Sequence, residues 1–321
     1  MKTVLTTIPL EERHKELLNK AADNLQFVYS SRTGLTEEQV QQANIIIGNV
    51  PPAWIKESKN LEFLQLDSAG TDGYLDDGVL PKGAKLTNAT GAYGLAISEH
   101  MIASIFMLLK KLNKYQDNMK AHKWQDEGHV QSIYGKTTLV LGLGDIGGTF
   151  AEKMHALGST VIGIRRNKAE KPEYLEELHQ MKELDTLLGR ADIVACSLPG
   201  TPQTKGLLNA ERIAEMKDGA ILVNVGRGSL IPTEALCAAL HSGKLGGACL
   251  DVTEVEPLPA DSPLWDAPNL ILTPHVSGVY HLPETLERII RLSASNLEAF
   301  CKEEPLKNEI DFETGYRRFI G

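Results

Sequence analysis

The sequence predicts an α/β protein with two doubly wound parallel sheets, and three observations carry that expectation. Short apolar runs alternate with helical patterns from end to end, an order that builds parallel sheets with helices on both faces. A glycine cluster from Gly142 to Gly147 stands between one such run and one such helix. At 321 residues the chain is long enough for two domains, each with its own core.

The first domain is expected over residues 1–98. Val4 to Ile8 and Leu25 to Tyr29 read as strands, with a helical stretch from Leu10 to Ala21 between them. Thr36-Glu37-Glu38-Gln39 has the capping-box pattern that opens a helix, and Asn44 to Gly48 reads as the next strand. Leu61 to Leu66 reads as another and runs into Asp67-Ser68-Ala69-Gly70-Thr71-Asp72, a turn at a strand's carboxyl end, where open sheets bind ligands. From Ile97 to about Tyr115 a single long helical pattern marks the change of domain, with Met101, Ile105, Leu108 and Leu112 on one stripe. His100 on that helix reads as a residue satisfied in a core or interface. Trp124 to Tyr134 reads as a loop.

Residues 99–282 are expected to form the second domain. Thr138 to Leu141 is a buried-strand pattern, followed at once by Gly142-Leu143-Gly144-Asp145-Ile146-Gly147, which fits G-x-G-x-x-G. Phe150, Ala151, Met154 and Leu157 then fall at helical spacing, Gly158 is a stop, and Ser159 to Ile164 is the next strand. That context makes the glycines a dinucleotide (Rossmann) fingerprint. Gly142 allows the tight turn, Gly144 lets the backbone approach a pyrophosphate, and Gly147 lets helix pack closely on strand. Free N–H groups around Asp145 and Ile146 and the positive end of the helix dipole would hold the phosphates. An NAD site wants an acid at the end of the second strand, but Arg165-Arg166 stand there. Guanidinium groups would pair with a 2′-phosphate, which favours NADP(H) and leaves NAD(H) possible.

Further strand patterns follow at Ala191 to Cys196, Ala220 to Val225, Ala248 to Asp251 and Asn269 to Thr273, with a helix from Thr233 to Leu240 among those between them. Leu286, Ile289, Ile290, Ser293, Leu297 and Phe300 form a helical stripe from Pro283 to Cys301, and the tail from Pro305 to Gly321 is expected to return to the first domain. Residues 283–321 thus hold this helix and the returning tail, and the resemblance set out below implies that they join residues 1–98.

Composition narrows the class of partner. Apolar residues make 42% and charged residues 23% of the chain, ordinary for a soluble globular protein. A formal charge of −9 argues against nucleic acid, whose phosphates want a basic face. The N-terminus reads as a first strand rather than a signal peptide, and the longest apolar helix carries Glu99 and His100, against a membrane span. Cys196, Cys237, Cys249 and Cys301 show neither C-x-x-C nor zinc spacing; no metal is expected, and a reduced cytoplasmic setting fits best.

Three stretches at the ends of the later strands carry reactive side chains: Asn224-Val225-Gly226-Arg227-Gly228, Asp251-Val252-Thr253-Glu254-Val255-Glu256-Pro257, and Thr273-Pro274-His275-Val276-Ser277-Gly278. Singly they read as a surface arginine, an acidic loop and a histidine in a turn. An arginine flanked by glycines can also grip a carboxylate in a bidentate fork.

Together, and in this order after the glycine fingerprint, these stretches resemble the D-isomer-specific 2-hydroxyacid dehydrogenases over nearly the whole chain. Ser68-Ala69-Gly70-Thr71-Asp72 is similar to that family's substrate-carboxylate loop. The resemblance implies a discontinuous, flavodoxin-like substrate domain from both chain ends, an inserted dinucleotide domain with a cleft between them, and a homodimer with the Ile97–Tyr115 helix at its interface. It implies that His275 protonates the 2-keto oxygen as the nicotinamide hydride arrives, with Glu256 fixing the imidazole tautomer. Arg227 would orient the substrate carboxylate and polarise the carbonyl, and the Ser68, Ala69 and Gly70 loop would complete the clamp through its N–H groups. Asp251 and Val225 would position the nicotinamide. Ser197, Leu198 and Pro199 would lie along the ribose, with Thr204, Gly226 and Gly278 among the cofactor contacts. Formate dehydrogenases of the superfamily carry an amide where Glu256 stands, which weakens that reading.

The expected activity is therefore that of an NAD(P)-dependent 2-hydroxyacid dehydrogenase, working mainly as an NADPH-preferring 2-keto acid reductase. Glyoxylate, hydroxypyruvate, pyruvate and bulkier keto acids all stay open. Two alternatives are a dinucleotide-sensing binding protein of the corepressor type and a short-form phosphoglycerate dehydrogenase; the stretch after His275 leaves no room for the regulatory domain of the long form.

Overall fold

The computed structural model describes residues 1–318; the last three positions of the expected tail, 319–321, lie outside the described residues. The chain divides into two compact units, one made of Met1–Tyr93 with the segment that begins at Tyr280, the other of Gly94–Val279.

The first unit runs β1 (Lys2–Thr6), α1 (Glu12–Ala21), β2 (Leu25–Tyr29), α2 (Glu37–Gln42), β3 (Ile45–Ile47), α3 (Pro52–Ile55), β4 (Phe63–Gln65) and β5 (Lys85–Thr87). Its strands pair in parallel in the order β2-β1-β3-β4-β5, a doubly wound order. Ile45, Ile46 and Ile47 are wholly buried, as a strand covered on both faces requires. The capping box read at Thr36 is formed: its hydroxyl accepts from the Gln39 amide, and the Gln39 side chain accepts from the Thr36 amide. The stripe from Pro283 to Cys301 is one helix over that span. It lays Phe300 on Phe63 with ring centroids 4.9 Å apart and sends buried Asn296 to the Gln65 side chain at 2.7 Å. The tail returns to this unit, where Glu309 bridges Thr87 and the Ile310 amide donates to the Leu86 carbonyl.

The second unit runs α4 (Gly94–Leu109), α5 (Leu112–Lys120), β6 (Thr137–Leu141), α6 (Asp145–Ala156), β7 (Thr160–Ile164), β8 (Glu177–His179), α7 (Leu184–Leu188), β9 (Ile193–Cys196), α8 (Ala210–Glu215), β10 (Ala220–Asn224), α9 (Thr233–His241), β11 (Leu245–Leu250) and β12 (Leu270–Leu272). The described strands form one parallel sheet in the order β12-β11-β10-β9-β6-β7-β8, with the crossover from one side to the other at β6 and β9. Leu139, Leu141, Val194, Leu222, Ala248 and Leu250 are core residues of this sheet.

The long helix expected over Ile97–Tyr115 is two helices. Lys111 adopts left-handed torsions (φ 56°, ψ 29°), and its ammonium donates to the Glu127 carbonyl. A tertiary bond thus overrides an apolar stripe that carries on through Leu112. Strands β5 and β8, three residues each, are additions to the expected set.

Candidate active site

The strands of the second sheet end in register. Ile164, Leu141, Cys196, Asn224, Leu250 and Leu272 lie in one row across β7, β6, β9, β10, β11 and β12. The next residue on each strand is a predicted cofactor contact or the start of the histidine loop: Arg165, Gly142, Ser197, Val225, Asp251 and Thr273. The Gly142, Ser197, Val225, Asp251 and Thr273 amides each donate to a carbonyl of the preceding row. Gly144, Asp145, Ile146 and Gly147 open α6 directly behind this edge. Ligands of open parallel sheets bind outside the carboxyl ends of the strands, where the order reverses.

The glycines fit a dinucleotide. Gly142 has φ 95°, a left-handed value suited to glycine. A Cβ on Gly147 would stand 1.8 Å from the Gly142 carbonyl oxygen and 2.5 Å from Ser197 Oγ, so helix and strand meet there backbone to backbone. A Cβ on Gly144 would meet nothing within 4 Å. That position faces open space at a helix N-terminus, the place for a pyrophosphate. Asp145 is turned to its own unit: Oδ2 accepts the Gly94 amide at the start of α4, 2.9 Å away.

The loops beyond the row brace one another. Ser197 Oγ donates to the Gly142 carbonyl at 2.9 Å. Gly226 packs so closely on Leu198 that a Cβ would lie 2.4 Å from its carbonyl oxygen, and one on Gly200 would lie 3.0 Å from the Arg227 side chain. Arg227 Nη1 donates to the Gly226 carbonyl at 2.7 Å, and Asn224 Nδ2 donates to the Arg227 carbonyl at 2.9 Å. Thr204 is buried, with its hydroxyl donating to the Pro199 carbonyl at 2.7 Å; its oxygen is spent on shaping the Ser197–Pro199 loop. Arg165 is half-buried at the end of β7, its amide bonded to the His179 carbonyl, and Arg166 is exposed.

His275 sits in left-handed backbone at φ 53°, which swings its ring out of the line of β12. Its Nδ1 lies 2.7 Å from Glu256 Oε2, while Glu256 Oε1 accepts the Thr253 amide at 2.9 Å. Nε2 has no partner among the described residues. The loop that carries His275 hangs on Asp251, which is 2% exposed. Its Oδ1 accepts from Thr273 Oγ1 at 2.6 Å and from the Val276 amide at 3.0 Å; Oδ2 accepts the Ser277 amide at 3.0 Å and the Ser277 hydroxyl. The loop then runs on through Gly278. His100 Nε2 lies 3.2 Å from Thr273 Oγ1, so this histidine is satisfied inside its own unit. Thr273 and Ser277 were legible only as neighbours of His275; their oxygens hold its loop.

In the first unit, Ser68, Ala69 and Gly70 follow β4 and are half-buried. Ser68 Oγ donates to the Gly70 carbonyl at 2.7 Å, and Asn88 Nδ2 donates to the Ala69 carbonyl at 2.7 Å. The Ala69 and Gly70 amides donate to no acceptor among the described residues, which leaves two donors on one turn. Asn49 is an addition that sequence reasoning passed over: its amide donates to Asp67 Oδ1 at 3.0 Å and its Nδ2 to Ser68 Oγ at 3.1 Å. Its place just past β3, at a strand's carboxyl end, was the available signal. Tyr74 is packing: its hydroxyl donates to the Val50 carbonyl at 2.7 Å, and burial pushes its phenol up to about 12. Burial likewise pushes the Cys196 thiol up to about 12, so it is no nucleophile. No helix among the described residues is long and apolar enough to cross a membrane, and no group of histidine, cysteine or acidic side chains among them could hold a metal.

A parallel sheet with this strand order, a glycine fingerprint after its first strand, and a histidine–carboxylate pair beyond its last defines a dinucleotide-dependent oxidoreductase. The chain belongs to the D-isomer-specific 2-hydroxyacid dehydrogenase family: residues 102–277 match the NAD binding domain of that family. Glyoxylate/hydroxypyruvate reductase B of Pectobacterium carotovorum is 32% identical over 269 residues, 81% of this chain and 82% of the relative. Among solved structures, a D-isomer specific 2-hydroxyacid dehydrogenase family protein from Aeromonas salmonicida matches at TM-score 0.85 and 34% identity over 97% of this chain and 99% of its own. An NADPH-dependent glyoxylate/hydroxypyruvate reductase from Sinorhizobium meliloti, in complex with NADP and sulfate, matches at 0.83 and 26% identity over 98% and 100%. The protein is an NAD(P)-dependent oxidoreductase acting on 2-hydroxy acids.

Proposed function

We propose that this enzyme is an NADPH-preferring reductase of small 2-keto acids, with glyoxylate and hydroxypyruvate as its first candidate substrates. The observation that carries the reading is the His275–Glu256 pair, 2.7 Å apart, beyond the same row of strand ends that carries the glycine fingerprint and Arg227. Glu256, held by the Thr253 amide, takes Nδ1 of His275 and so leaves Nε2 to present a proton to the keto oxygen. Arg227, braced by its bond to Gly226, grips the substrate carboxylate and polarises the carbonyl. The Ala69 and Gly70 amides are the second set of carboxylate donors, with Ser68 holding their turn. The nicotinamide, when bound, supplies the hydride. Val225, Gly226, Asp251 and Gly278 line its end of the sheet, Ser197, Leu198 and Pro199 the ribose, and Gly142 to Gly147 the pyrophosphate.

The cofactor preference rests on Arg165 and Arg166, placed where an acid would accept from an unphosphorylated ribose. We assign the substrate role to the unit of residues 1–93 with the segment that begins at Tyr280, and the dinucleotide role to the unit of residues 94–279. A homodimer is supported by apolar side chains that nothing described covers: Leu112 and Met119 on α5, and Trp124 and Tyr134 beyond it. Four free cysteines support a reduced cytoplasmic setting, which cell fractionation checks.

The test is NADPH oxidation with a panel of 2-keto acids, run beside His275→Ala. Turnover by the parent chain and its loss in the variant, by at least ~100-fold with NADPH affinity kept, are the expected results. Unchanged turnover would refute the role of His275.

A further inference from the structure

The Ser68–Gly70 turn is held from behind by a polar chain that starts at the opposite edge of its sheet. Arg32 follows the edge strand β2, and Asp67 follows β4, with β1 and β3 between them in the sheet. Arg32 Nη2 nonetheless reaches Asp67 Oδ2 at 2.8 Å. The Asp67 side chain is 1% exposed, and burial pushes its carboxyl up while the Arg32 guanidinium beside it pulls the other way. From Asp67 the chain continues through two bonds to Asn49, whose amide donates to Oδ1 at 3.0 Å and whose Oδ1 accepts the Asp67 amide at 3.1 Å. Asn49 Nδ2 then donates to Ser68 Oγ, which donates to the Gly70 carbonyl. Both ends of the turn are thereby fixed, and the Ala69 and Gly70 amides are left with no acceptor among the described residues.

We infer that Arg32 is a positioning residue for substrate: acting through the Asp67 carboxylate, it holds the Ser68–Gly70 turn in the shape that receives the substrate carboxylate. The inference rests on the reading of that turn given above and adds a residue distant from it in sequence. A buried carboxylate without its counter-charge must protonate or draw in water, and either change loosens the bonds to Asn49 on which the turn depends. Tyr280 steadies the arginine from the other side, its hydroxyl 3.4 Å from Nη2 and its ring centroid 5.8 Å from the guanidinium carbon. Arg32, Tyr29, Ser30 and Tyr280 border a cavity of about 500 Å³, so side chains of similar length fit at position 32 without a clash.

The experiment compares the parent enzyme with Arg32→Met and Arg32→Lys, using glyoxylate and hydroxypyruvate as probes. Removing the charge should raise KM for the keto acid at least ~10-fold, with kcat changed far less and NADPH affinity within twofold. Lysine should recover most of the loss, which a purely steric role would not give. An unchanged KM in Arg32→Met, beside a parent enzyme that turns over, overturns this inference alone, as does a parallel fall of kcat, KM and NADPH affinity. Absence of turnover in the parent enzyme overturns the proposed function and this inference with it. Should the methionine variant not fold, Asp67→Asn, which removes the charge Arg32 answers and keeps its shape, takes its place with the same expected rise in KM.

Discussion

Replacing Gly144 by alanine separates cofactor binding from folding. Its torsions, φ −80° and ψ −157°, are extended values open to any residue, and a Cβ there meets no protein atom within 4 Å. The added methyl therefore restricts only the unfolded chain, and the variant should be more stable by about 0.4–1 kcal/mol. The same methyl stands at the N-terminus of α6, in the space a pyrophosphate must enter to reach the helix amides. NADPH affinity should fall at least ~10-fold, equivalent to about 1.4 kcal/mol. Urea denaturation reads the first quantity, and titration of NADPH fluorescence reads the second. Gly147→Ala is the contrast. Its Cβ would lie 1.8 Å from a carbonyl oxygen, so the helix must shift off its strand, at a cost of about 1–3 kcal/mol or more. The reasoning fails if Gly144→Ala binds NADPH within twofold of the parent enzyme, or if it is destabilised by more than about 0.5 kcal/mol.

Arg165→Asp should move the ratio of kcat/KM values at least ~10-fold toward NADH, since a carboxylate there accepts from a ribose hydroxyl and repels a 2′-phosphate; an unmoved ratio rules the residue out. His179 is bonded to Glu177 at 2.8 Å and Glu183 at 3.0 Å, and these two carboxylates raise its pKa against burial. Its folded value lies above the ordinary one of about 6.5, so the stability it contributes is complete below that pH and fades as pH rises through the folded value. The stability gap between the parent and His179→Asn should accordingly be widest near pH 6 and narrow on the alkaline side; an NMR titration midpoint at or below the ordinary value would contradict this. Light scattering should give a dimer for the parent chain and a monomer for Trp124→Glu with Met119→Glu. A monomeric parent would discard that arrangement.

Much of the fold was legible because local signals and burial agree. The helix from Pro283 to Cys301 carries both its apolar stripe and a proline at its first turn, and the Thr36 cap needs only residues three apart. The glycine fingerprint was legible for the same reason, since its steric demands act within a few residues. What escaped depends on partners distant in sequence. Strand β8 is Glu177-Leu178-His179, too short and too polar for an apolar pattern, and it is made a strand by pairing with Ile162, Gly163 and Ile164. The break at Lys111 follows from a carbonyl sixteen residues on. The candidate site divides in the same way. His275, Glu256 and Arg227 are legible through the order of their motifs, whereas the bonds that Asp251 makes to the His275 loop, and that Asn49 and Arg32 make around the Ser68–Gly70 turn, exist only once the strands of each sheet have been brought side by side.

The aligned strand ends have a consequence for how such a protein can change. Arg165, Gly142, Ser197, Val225, Asp251 and Thr273 each leave a different strand, and the row behind them is locked by backbone pairing that no side chain alters. A duplicated copy could therefore trade its nucleotide preference at one loop, or its choice of acid at another, while inheriting the rest intact. Diversification by piecemeal loop exchange is what such a scaffold permits, and it locates where a laboratory redesign should begin.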